Sequence, residues 1–218
     1  MKRAGFVALC LALAAAFAAL GIWQVERRAW KLDLIARVEA RLEAAPATPP
    51  ATWTDDLAYT RVRAHGTFLQ DRETLVQALT ERGAGWWVLT PLRTPHGVIL
   101  VNRGFVPPER RAAPPTGRVT VTGLLRASEP GGGFLRSNDP AAGRWYSRDV
   151  AAIAAARGLG EAAPFFLDAD ATPNPGGYPI GGLTVVAFRN NHLAYALTWF
   201  GLAALSLFGS GLVTRRVR

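Results

Sequence analysis

The chain has 218 residues, half of them hydrophobic and 19% charged, with 25 Lys and Arg against 16 Asp and Glu for a formal net charge of +9. That excess does not point to a nucleic-acid partner: five of the 25 basic residues (Lys2, Arg3, Arg215, Arg216, Arg218) sit at the two ends, leaving 20 scattered ones against all 16 acids with no basic stripe. The single cysteine, Cys10, excludes an internal disulfide and a thiolate metal cage.

Charge is absent from Ala4 to Ile22 and again from Leu193 to Val213. Each run has the roughly 20 residues that a helix needs to cross a bilayer. Trp23 follows the first run, and Tyr195, Trp199 and Phe200 lie in the first turns of the second, where aromatic rings suit the headgroup layer. The short basic ends place both termini in the cytoplasm by the positive-inside rule, although Arg27, Arg28 and Lys31 also flank the first run. A cleaved secretory signal is the competing reading of the first run; its length and the helix that follows without a loop favour a retained span.

After Trp23, the residues Trp30, Leu34, Val38 and Leu42 recur at every fourth position, with Ile35 widening the stripe. This predicts an amphipathic helix ended by Pro46 and Pro49-Pro50. Strands are then predicted at 59–65, 74–79, 86–92, 98–101, 119–125, 165–168 and 183–188, with a hairpin turn at Pro95-His96-Gly97. A helix over Asp149 to Arg157 is expected, capped by Ser147 and ended by Gly158, with loops at 107–118 and 172–182. The expected class is an α+β membrane protein, with N- and C-terminal transmembrane helices flanking one antiparallel, β-rich extracytoplasmic domain. The boundaries are a cytoplasmic tail at 1–3, helix 1 at 4–23, a juxtamembrane helix at 24–45, the β-rich domain at 46–191, helix 2 at 192–213 and a second tail at 214–218.

No nucleophile elbow, phosphate loop, dinucleotide fingerprint or zinc spacing occurs, and the three histidines, His65, His96 and His192, are far apart in the chain. No enzyme class is therefore expected. His65 and His96 fall at a strand end and a turn, where surface histidines are ordinary. Arg189-Asn190-Asn191-His192 is different, because a cation, two amides and an imidazole crowd the start of the second span. One reading makes Asn190 a cap and Arg189 and His192 headgroup anchors; the other makes His192 a haem or metal ligand.

Four segments carry a resemblance to a known family: Leu20 to Lys31, containing Leu20-Gly21-Ile22-Trp23-Gln24; Gly85 to Leu92; Val101-Asn102-Arg103-Gly104-Phe105-Val106-Pro107; and Arg189 to Phe200. Across essentially its whole length the chain resembles the surfeit locus protein 1 family of cytochrome c oxidase assembly factors. Phe105 stands where that family commonly has Trp, a departure that keeps an aromatic ring. The resemblance implies a non-enzymatic role in a bacterial inner membrane, with the main domain periplasmic. It further implies haem a bound through His192 alone. The residues agree in location: an imidazole at the edge of the bilayer can reach iron with Arg189 available to a propionate, and Trp199, about two turns on, lies either beside the porphyrin or against the first span. Oxidase subunit I is the implied partner, with haem a synthase and other oxidase assembly factors as further candidates beside the lipid bilayer. Trp23, Gln24, Arg103, Tyr195 and Trp199 are partner or structural positions; for Arg103 the alternative to a partner contact is a strand-end ion pair, with Gly104 making the turn. Two other functions stay open: a cofactor-free chaperone for the oxidase, and a membrane-anchored outer ligand-binding protein. Against the latter, tails of three and about five residues leave no output module.

Overall fold

The computed structural model describes residues 2–133 and 135–215, without the side chains of Lys2 and Arg3. The basic residues expected at the two ends, Arg215 apart, therefore lie outside the described residues or side chains. Two compact units emerge: a helical one reaching to Arg37 and resuming at Val186, and a β-rich one from Val38 to Val185.

The helical unit is built from α1 (Lys2–Glu43), as far as Arg37, and α3 (His192–Arg215). Helix α1 runs unbroken through the first apolar run and the amphipathic stretch, because nothing in it breaks a helix until Pro46. There the ring of a continuing helix would meet the carbonyl of Leu42, and the residue before proline is pushed towards extended conformation. Both helices are long and apolar enough to cross a membrane. As far as Gln24, the buried positions of α1, Cys10, Ala14, Gly21 and Gln24, with half-buried Phe17 between them, alternate in steps of four and three. In α3 the buried Ala196, Ala203 and Ser210 recur every seven. This is the seam spacing of two helices packed side by side. Phe17 meets Trp199, Gly21 meets Phe200 and Gln24 meets His192, so the two helices are antiparallel.

The β-rich unit contains β1 (Arg61–Phe68), β2 (Thr74–Thr80), β3 (Gly83–Thr94), β4 (Gly97–Val106), β5 (Arg118–Ala127), the two-residue β6 (Gly132–Gly133) and β7 (Arg136–Ser137), α2 (Val150–Arg157) and β8 (Ala162–Ala169). The sheet order is β1-β5-β8-β4-β3-β2, and β1 also pairs with β3 at Thr67↔Arg93 and Phe68↔Leu92. Five strands therefore close on themselves as a small barrel, with β2 as an extension of β3. Every barrel strand sends residues inward: Val62, Ala64 and Phe68 from β1, Leu92 from β3, Ile99 and Val101 from β4, Leu125 from β5, Phe165 and Leu167 from β8. The alternate residues Leu100 and Phe166 face outward, where Val150 and Ile153 of α2 cover them together with Val76, Leu89 and Trp145. Strands β4 and β8 are thus buried on both faces, which explains their continuous apolar runs. Trp87 joins that outer cluster, half-buried, and meets Phe105 edge to face.

The turn at Pro95 and His96 joins β3 to β4, with Thr94 opposite Gly97. Four expectations change. The sheet is mixed, since β4 and β8 are parallel; α2 lies on the connection between β5 and β8. The residue preceding α2 is Asp149, whose carboxylate accepts from the Ala152 N–H, while Ser147 lies two positions too early and accepts from Asn138 instead. Gly158 ends α2 in the left-handed region as expected. Residues 183–188 form no strand, because β8, the strand that Thr184 bonds to, already pairs with β5 on one side and β4 on the other. That segment is tied down by other means: Ile180 bridges Phe105, the Gly182 N–H donates to the Ala169 carbonyl, and the Thr184 hydroxyl donates to Asp168. Lastly, Arg103 is no strand-end residue and Gly104 makes no turn: both lie within β4, and at Gly104 (φ +130°) a Cβ would strike the carbonyl of Ile180.

Candidate functional site

The seam position of Gln24 aims a polar amide into apolar surroundings, where only 9% of the residue is exposed. A buried amide needs a partner, and His192 supplies it: imidazole Nδ1 lies 2.7 Å from Gln24 Oε1. His192 is the first residue of α3 and is half-buried. Two turns further along the same helix, the Trp199 ring stacks on Phe17 with centroids 5.6 Å apart. Between these levels the Phe200 ring lies over Gly21, where a Cβ would come within 2.6 Å of it. The seam from His192 to Trp199 is therefore filled by side chains.

Of the residues singled out in the sequence, the structure brings together His192 and Gln24, and places Trp199 two turns along the same seam against Phe17. Arg189, Trp23 and Tyr195 are exposed. Arg103 belongs to the other unit, inside the barrel with 2% exposure. Its Nη1 is 3.5 Å from Glu73, its Nη2 donates to the Ala113 carbonyl at 2.7 Å, and Phe68 lies beneath the guanidinium. Burial pushes the Arg103 pKa below its ordinary value, with Glu73 opposing. Its ion pair is as expected, but its place is the barrel interior. His65 and His96 are exposed at the rim of a groove of about 850 Å³ at one end of the barrel, above Ala64, Ile99 and Phe165.

A second polar cluster escaped sequence reasoning. Asp168, 4% exposed, accepts hydrogen bonds from Asn102 (2.8 Å), Arg126 (2.9 Å), Thr184 (2.9 Å) and Arg148 (3.2 Å), and Arg148 also forks onto Glu129 at 2.5 and 2.9 Å. Burial disfavours the charged form of Arg148, but the bond to Glu129 and the charges of Asp168 and Glu129 outweigh it and raise its pKa. The cluster floors a groove of about 940 Å³ beside Trp87. Its one sequence signal is an aspartate directly after the apolar run Phe165-Phe166-Leu167. Because each hydrogen-bonding group of Asp168 is engaged, the cluster reads as a structural knot.

The chemistry at His192 is that of a single imidazole ligand. With Nδ1 engaged, Nε2 is the nitrogen left to bind a metal. Among the described residues no three His, Cys, Asp or Glu side chains gather as a cage for a bare ion. A porphyrin carries its own equatorial nitrogens and asks the protein only for axial ligands, so one imidazole at the edge of an apolar helix pair fits a haem.

Comparison with known proteins agrees with the sequence motifs. The model of the SURF1 family matches residues 11–204. A SURF1-like protein of Monosiga brevicollis is 39% identical, with 86% of this chain and 79% of that protein covered. Surfeit locus protein 1 of Homo sapiens is 38% identical over 87% of this chain and 71% of its own length, and a SURF1-like protein of Drosophila melanogaster is 34% identical over 87% and 71%.

Proposed function

Since the chain belongs to the SURF1 family, we propose that it is an assembly factor for cytochrome c oxidase that holds haem a at the head of α3 and assists its insertion into oxidase subunit I. One observation carries the reading: the half-buried imidazole of His192, at the polar end of an apolar helix, has Nδ1 held by Gln24, while among the described residues Nε2 makes no hydrogen bond. A bound haem would supply an iron that takes an imidazole nitrogen as ligand. On the protein side, His192 gives the ligand nitrogen and Gln24 holds its ring. Exposed Arg189, three residues earlier, offers a guanidinium to a propionate. Trp199, stacked on Phe17, serves helix pairing.

In this reading α1 and α3 are transmembrane. Only 17% of each apolar window is buried, which would be costly for helices left in water and is natural in lipid. Exposed Trp23 and Tyr195 suit the headgroup layer. The β-rich unit then lies on the periplasmic side of a bacterial inner membrane with both termini cytoplasmic, and the protein acts by binding, without an enzymatic step. Haem a synthase and other assembly factors are natural further partners.

The test is haem per protein by pyridine haemochrome on purified variants, expressed with a haem a pathway. His192→Ala is expected to lose haem, while His65→Ala and His96→Ala keep it near normal. Unchanged haem in His192→Ala, or equal loss in all three, overturns His192 as ligand. A wild-type protein without haem under these conditions replaces the reading by that of a cofactor-free chaperone.

A further inference from the structure

A neutral imidazole carries one proton on either of two nitrogens, and the hydrogen bond made by one decides what the other presents. In this chain the partner of Nδ1 is an amide oxygen, which can only accept. With that oxygen turned to the ring, the proton sits on Nδ1. We propose that Gln24 is the positioning residue of His192, fixing the Nδ1–H tautomer and the ring's orientation so that Nε2 presents its lone pair as a metal ligand of moderate basicity.

Several features of the helix pair support this assignment. Gln24 follows Ala14, Phe17 and Gly21 along the seam, so its side chain is directed at α3 by helix geometry. With 9% exposure, the amide has little water to turn to, and a broken bond would leave it unpaired. Stacked Phe17 and Trp199 and the Phe200 ring over Gly21 fix the helices against one another one and two turns away, which holds the amide and imidazole in register.

The chemical nature of the partner matters as much as its presence. A carboxylate at position 24 would draw the Nδ1 proton towards itself, load electron density onto Nε2 and favour ferric iron. The amide orients the ring without that charge. It leaves a weaker, more readily exchanged ligand, as suits a protein that must release what it holds. The tautomer belongs to the chain itself, whereas the effect on iron rests on the reading of His192 as a haem ligand.

The experiment uses the full chain in detergent. In the haem-free protein labelled with nitrogen-15 histidine, His192 is assigned as the signal missing from His192→Ala. It is expected to show a protonated Nδ1 and a bare, pyridine-like Nε2. Gln24→Leu, which fits the apolar seam, is expected to release this preference, whereas Gln24→Glu should keep it. A bare Nδ1 in the wild type, or a tautomer unchanged in Gln24→Leu, overturns the proposal. In haem-loaded protein, Gln24→Leu should weaken haem binding at least ~10-fold, and Gln24→Glu should retain haem with a lower midpoint potential. Equal affinity and potential in all three proteins overturns the effect on iron. A protein with the Nδ1–H tautomer and no haem separates the two claims, sinking the haem reading and leaving the tautomer assignment in place.

Discussion

Phe17 on α1 and Trp199 on α3 stack with 25° between their planes, one turn from the point where Phe200 covers Gly21. A glycine at position 21 is therefore a steric requirement of the helix pair. Gly21→Leu is expected to force the helices apart and cost about 1–3 kcal/mol, as overpacking generally does. Gly201→Leu, at a helix position with open space around it, should cost nothing measurable. Thermal unfolding of the two detergent-solubilised variants gives the comparison; equal midpoints would mean that the seam tolerates a side chain at Gly21.

Asp168 is the buried acceptor shared by Arg126 and Arg148, and without its charge two half-buried guanidiniums depend on the more exposed Glu129. Removing one partner of a buried ion pair costs about 3–5 kcal/mol. Asp168→Asn should approach that loss, while Glu129→Gln, whose side chain is 37% exposed, should lose distinctly less. Chemical unfolding followed by near-ultraviolet circular dichroism measures both, and a smaller effect at Asp168 than at Glu129 would contradict the knot.

Compartment reporters test the membrane reading. A reporter fused after Arg118 is expected outside and one fused after Arg218 in the cytoplasm, since basic ends are retained there. An outside signal at Arg218 would refute two spans. A mature N-terminus near Gly21 would show instead that the first apolar run is removed.

Much of the fold was legible in the sequence for a local reason. The two apolar helices, the amphipathic continuation through Val38, the turn at Pro95 and His96, and the strands on either side of it follow from hydrophobic period and from proline and glycine chemistry, which act within a few residues. Among the candidate ligands, His192 stood out by its place beside an apolar run. What the sequence could not supply was partnership across the chain. That Thr67 pairs with Arg93 and closes the barrel, that β8 already has a partner on each side and takes no strand from residues 183–188, and that Arg103 is sealed inside all depend on strand order. The pairing of Gln24 with His192, 168 positions away, is of the same kind. Local pattern says which face of an element is apolar, but which polar residue is left among those faces, and what satisfies it, is decided only when distant elements meet.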